Sequence, residues 1–306
     1  MGTPITSTEW PRLVLPIIRK VWDQKLTATV SPFMALMGVQ RSTSSVEYSQ
    51  GIGSFGLVPE FNSSTAEGDP AAIAYDSFNP LYEATFTHKE YAKGVAIERK
   101  LWDDDQMGAI KRKASILGHS FATTRAYHAS SILNNAFATV TGYDSVYLCS
   151  ASHPTSEVDA TAISNLGTTA LSYAAVNTVL AAGAAMKDDR GMPMPVIYDI
   201  LYVPVALAAK AREIVGAPLK PGTADNDANA IAGLRVVVDP YLSDANNWFM
   251  ISSAEAAMHA LWFDRVNPEI AMAPDSDYTL QAKYRGYMRY SFGWDDFRWI
   301  YGQNVT

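Results

Sequence analysis

The chain has 306 residues, 48% of them hydrophobic, with 24 lysines and arginines against 31 aspartates and glutamates, a formal net charge of -7. That content supplies a substantial core for one elaborate domain or two and excludes a disordered chain, while the negative balance argues against a dedicated nucleic-acid binder, which presents a basic face to phosphate. A single cysteine, Cys149, excludes an internal disulfide framework and a cysteine-based zinc site.

In chain order, residues 1–38 scatter Pro4, Pro11, Pro16 and Pro32 among apolar and basic groups. This predicts an extended arm with one short helix near residues 17–25, and it leaves Trp10 and Trp22 as anchors in search of a surface that their own subunit does not offer. The apolar run Leu13-Val14-Leu15-Pro16-Ile17-Ile18 is too short to span a bilayer and lacks the basic start of a signal peptide, so the expectation is a soluble, non-secreted protein without membrane contact.

Residues 42–88 contain no lysine or arginine, while Glu47, Glu60, Glu67, Asp69, Asp76 and Glu83 make the stretch acidic. Strand-forming residues at 46–49 and 82–87 flank a glycine-, serine- and proline-rich middle, which predicts a long two-stranded excursion with a polar tip. A loop of that length without a core of its own usually belongs to a functional arm.

The longest helical pattern covers residues 101–140. Met107, Ile110, Ala114, Leu117, Phe121, Ile132, Ala136 and Val140 recur at spacings of three or four wherever the stripe is continuous, and the stripe thins at Thr124 and His128. Asp103-Asp104-Asp105 reads as the start signal, capping free N–H groups and complementing the helix dipole, in preference to a cation site. With no proline inside it, the helix is expected over residues 104–137 as a beam of about 50 Å.

Beyond the beam the pattern predicts a strand at 143–149, helices at 173–186 and 205–215, a strand at 198–203, a polar loop at 216–229, short strands at 234–238 and 248–252, and a brief helix at 255–261. The final stretch, 280–301, alternates aromatic and basic residues as long strands with one packed face do. The whole reads as α+β.

Few motifs carry chemistry. Gly51-Ile52-Gly53-Ser54-Phe55-Gly56-Leu57-Val58 matches the letters of a kinase glycine-rich loop, yet Glu98 occupies the lysine position of Val95-Ala96-Ile97-Glu98 and no catalytic-loop sequence follows, so a glycine-rich arm is the better reading. Cys149 and His153 resemble a nucleophile and base, but Pro154 and the neighbouring serines describe a strand ending in a turn. His88, His119, His128 and His259 have no metal-ligand spacing. Asp239 and Asp244 around Pro240 read as structural, and Trp294, Phe297, Trp299 and Tyr301 as core-facing residues of a sheet. No catalytic residue, metal or cofactor is expected.

The order of parts, an arm, an acidic excursion, a beam helix, a compact α/β lobe and aromatic strands, resembles the HK97-like fold of tailed-phage major capsid proteins. The stretches Tyr82-Glu83-Ala84-Thr85-Phe86, Gly94-Val95-Ala96-Ile97-Glu98-Arg99 into Asp103-Asp104-Asp105-Gln106, Ser152-His153-Pro154, Leu201-Tyr202-Val203-Pro204 and Trp294-Asp295-Asp296 look similar to Mu-type major head subunits. The resemblance implies an N-terminal arm at 1–41, an extended β-hairpin E-loop with flanking strands at 42–92, a P domain part with the spine helix at 93–141, an A domain at 142–274 and C-terminal P domain strands at 275–306. It implies a non-enzymatic subunit that assembles with itself into pentamers and hexamers of an icosahedral shell enclosing double-stranded DNA, in the virion and built in the host bacterial cytoplasm. Portal, decoration and scaffold proteins are the implied partners, the scaffold being a separate protein where there is one. The alternative it leaves is an encapsulin-like compartment shell. Some relatives cross-link an E-loop lysine to a neighbour's asparagine; with no lysine in 42–88, no such mesh is expected here. On charge, Glu47, Glu60, Glu67, Asp69, Asp76 and Glu83 are expected to meet Arg19, Lys20, Lys111, Arg112 or Lys113 of an adjacent copy, with Trp10 and Trp22 anchoring the arm.

Overall fold

The structure, a computed structural model, describes residues 10–28, 31–52, 80–104, 106–154, 162–219, 228–231, 233–272 and 281–306. Helix α1 (Trp10–Ala28) leads to β1 (Gly38–Arg41). Strands β2 (Val46–Ile52) and β3 (Pro80–Thr87) pair as an antiparallel hairpin, and β4 (Lys89–Glu98) runs into α2 (Arg99–Asp103) and the long α3 (Met107–Asn134). There follow β5 (His153–Pro154), β6 (Ala162–Ile163), β7 (Leu166–Gly167), α4 (Tyr173–Ala184), β8 (Ile200–Pro204), α5 (Ala208–Gly216), β9 (Arg235–Asp239), β10 (Trp248–Ile251), α6 (Ser253–His259), β11 (Ala260–Met272), β12 (Gln281–Trp294) and β13 (Ile300–Gln303).

Two larger sheets organise these elements. The first has the order β1-β11-β12-β4 and the second β7-β13-β10-β8-β9. These pairings cut across the boundaries read from sequence. β11, counted there with the compact lobe, pairs with β12 in the first sheet, whereas β13, counted with the C-terminal strands, inserts beside β10 in the second. β1, counted with the arm, pairs with β11. Strand composition shows that a segment is extended; it does not show which sheet receives it.

Helix α3 buries Ile110, Ala114, Leu117, Phe121, Ile132 and Leu133 in the core it shares with α1 and the two sheets. Its stripe does not thin at Thr124 and His128, because the buried Ala126 and Ala129 continue it with side chains too small to register as strongly apolar. At that level the contact is polar: Arg125 donates to Asp264 at 2.8 Å and lies over the Trp262 ring, and His128 Nδ1 pairs with the Tyr290 hydroxyl at 2.6 Å.

Three local expectations are corrected. Asp103 closes the one-turn α2, where it pairs with Arg99, and the Asp104 N–H bonds the Lys100 carbonyl. The residue before α3 is Gln106, which makes no side-chain cap, so the carboxylates keep only their nearness to the positive end of the helix. Residues 143–149 form a tight turn in place of a strand: Ser145 has φ +62°, Asp144 accepts from the Val146 N–H, and Gly142 N–H bonds back to Val146. The arm, finally, is a 19-residue helix on its own subunit. Pro11 falls in the first turn, where a missing N–H costs nothing. Pro16 costs about 3 kcal/mol, but the full burial of Val14, Ile18 and Trp22 contributes about 1.5–3 kcal/mol for each apolar side chain and outweighs it. Trp22 meets Phe121 edge-on at 4.6 Å and sits in a hole that exists because β12 has Gly286 there.

Candidate assembly interface

Hairpin β2–β3 is rooted in the body at three points. The first is apolar: Phe86 packs on Phe263 with a ring separation of 5.1 Å, alongside Ala84 and Leu261. The second is His88, buried between β3 and β4. The Ser42 hydroxyl donates to Glu47, so His88 Nε2–H donates to the Ser42 oxygen at 2.9 Å, which leaves Nδ1 to accept from the Ser291 hydroxyl at 3.0 Å. Burial, together with the nearby Arg289 charge, holds the His88 pKa below its usual value, consistent with that neutral form.

The third root point joins three elements. Ser49 of β2 donates to Asp295 Oδ2 at 2.5 Å, and His259 Nδ1 at the end of α6 donates to Asp295 Oδ1 at 2.9 Å. Glu255 lies 3.6 Å from His259 Nε2. Burial opposes charge on this ring, but the Asp295 hydrogen bond and the Asp296, Asp295 and Glu255 charges outweigh it, so its pKa is raised. His259 and Asp295 border a groove of ≈ 460 Å³ that Gln50, Tyr82, Tyr143 and Arg298 also line.

Of the acidic residues singled out in sequence, Glu47 and Glu83 lie on the hairpin strands; Glu60, Glu67, Asp69 and Asp76 lie outside the described residues, as does most of the glycine-rich run from Gly51. Arg19 and Lys20 are exposed on α1, and Lys111 and Arg112 on the second turn of α3. Lys113 reaches the Ala96 carbonyl of β4 at 3.5 Å. Within one chain no ion pair joins these cations to Glu47 or Glu83 among the described residues. Trp10 begins α1, and its side chain is outside the described set.

Cys149 and His153 have packing roles. Cys149 is buried, and burial pushes its thiol pKa up, which disfavours the thiolate that attack would need. His153 stacks on Phe297 at 3.8 Å, with Nδ1 against Asp144 at 2.6 Å and Nε2 against the Asn165 side-chain oxygen at 3.1 Å. Asp239 is fully buried and accepts from Ser130, Tyr202 and the Tyr241 N–H, and Asp244 caps the turn at Asn246 and Asn247. Among the described residues no cluster of histidine, cysteine and acidic side chains could hold a metal, and no helix is long and apolar enough to cross a membrane.

Sequence reasoning missed the Ser49–Asp295–His259 link and the His88 clamp, whose members are up to 246 positions apart. The one available signal was Trp294-Asp295-Asp296, a short motif without a visible partner.

A two-stranded hairpin, a long helix packed on a mixed four-stranded sheet and a second mixed sheet make up an HK97-like fold. The fold is similar to that in the procapsid of bacteriophage JBD30 (14% identity over 100% of this chain and 77% of that one, TM-score 0.55). It is also similar to the capsid of cyanophage P-SCSP1u (14% identity, 91% and 88% covered, TM-score 0.55) and to Mycobacterium phage Patience (12% identity, 98% and 88% covered, TM-score 0.56). No curated protein matches the sequence. The chain belongs to the phage capsid protein family, whose model matches residues 82–302. It is a major capsid protein, a structural subunit of a phage head, and the family match favours that role over the encapsulin-like alternative.

Proposed function

We propose that copies of this chain assemble through pentamers and hexamers into an icosahedral shell around double-stranded phage DNA, and that the chain falls in the Mu-type group whose short motifs it resembles. In this reading the first sheet with α3 is the P domain, the second sheet with α4 and α5 is the A domain, and hairpin β2–β3 is the E-loop. The subunit performs no chemistry.

One observation carries the reading. The acidic stretch 42–88 has no cation of its own, and the exposed Arg19, Lys20, Lys111 and Arg112 have no carboxylate partner among the described residues. Adjacent copies supply each to the other. Exposed pairs contribute only about 0–1 kcal/mol apiece, so their part is to set register and steer encounter. Reversing Arg112 and Lys113 together to glutamate is expected to leave the thermal melt of the subunit within a few degrees of wild type and to reduce the yield of closed shells in electron micrographs. Wild-type yield from the double variant would sink the proposal.

A further inference from the structure

Between the hairpin root and the end of α3 lies a cavity of ≈ 320 Å³. Its walls come from β3, the start of β4, the last turns of α3 and β12. That volume falls within the range of small-molecule pockets, about 300–1,000 Å³. None of its lining residues is among those assigned above to contact between copies, so the shell reading leaves the cavity without a role.

The lining is rich in aromatic side chains: Phe86, Tyr91, Tyr290, Phe292 and Trp294. Their rings are held by one another and by the core behind them. Tyr91 stacks on Tyr290 at 4.7 Å, and Phe292 stacks on His128 at 5.7 Å and on Trp262 at 5.4 Å. Walls fixed in this way are in place before anything binds, and a ring entering them gains more than its buried area alone supplies.

Among the described residues Lys89 is the one charged group in the lining, and its ammonium has no hydrogen-bond or ion-pair partner. Glu90, next along the strand, lies 3.9 Å from Arg289 instead. The charge of Lys89 is felt nearby: burial and this ammonium both lower the pKa of His128. An occupant of matching chemistry offers a flat ring to the walls and an anion to the lysine.

We propose that the cavity binds a small aromatic carboxylate, its ring among the aromatic side chains and its carboxylate on the Lys89 ammonium. Because the walls belong to the hairpin, to α3 and to the first sheet alike, the occupant ties the hairpin root to the body. The site is complete within one chain and stands apart from the shell reading.

Equilibrium dialysis of naphthoate against the purified full chain tests it, with naphthamide as the uncharged match and decanoate as the acid without a ring. Saturable binding of naphthoate at a single site per chain is expected. Naphthamide is expected to bind about fivefold more weakly, the worth of one exposed ion pair. Lys89→Met should erase that difference and leave the subunit Tm unchanged, since Lys89 is exposed. Asn135→Phe, which adds a ring to the lining, should abolish binding. Uptake that does not saturate, or that Asn135→Phe leaves intact, would overturn the site. Equal wild-type affinity for naphthoate and naphthamide would overturn the anion, and decanoate binding more tightly than naphthoate would overturn the ring.

Discussion

His88 and His259 sit at the same hairpin root and favour opposite charge states. Burial and Arg289 keep His88 neutral, whereas Asp295, Asp296 and Glu255 overcome burial at His259 and raise its pKa above 6.5. A raised pKa contributes stability that is complete below the unfolded value and is lost as pH climbs through the folded one. Wild-type subunits are therefore expected to lose stability relative to His259→Gln between about pH 6 and about pH 8, by less than about 1 kcal/mol because the ring is partly exposed. Urea midpoints of both proteins at each pH check this; an identical gap at both would refute it. Neither role was legible in the sequence. A lone histidine shows no partner when Asp295 lies 36 positions on and Ser291 203 positions away.

The elements were far more legible than their docking. Beam, acidic hairpin and aromatic strands all declare themselves through periodicity and composition, because those signals are local. Helix α1 was obscured by Pro16, and what stabilises it is a long-range hole: Cβ at Gly286 would stand 2.6 Å from Phe121 Cζ and 2.7 Å from Trp22 Cη2. Gly286→Val should therefore displace α1 from α3 and cost about 1–3 kcal/mol by overpacking. Equilibrium unfolding, with Trp22 emission as reporter, measures both effects. Unchanged stability together with an unshifted emission maximum would show that the helix can dock without the hole.

As a whole molecule, the subunit gathers its charge asymmetrically, acid on the hairpin and base around β4 and the start of α3. In the proposed shell such contacts would do without a covalent bond, and 42–88 offers no lysine for one. Boiling shells in denaturant is expected to yield a single monomer band on a gel, and a ladder of multimers would contradict it. The insertion of β13 between β7 and β10 has a further consequence, for synthesis. Residues 300–303 complete a sheet begun at residue 166, and β11 and β12 bring residues beyond 260 to β1 and β4. A chain cut short before β12 can finish neither sheet, so in the proposed shell such a product is expected to lack the folded surfaces that assembly needs and to be left out of the lattice without any dedicated inspection step.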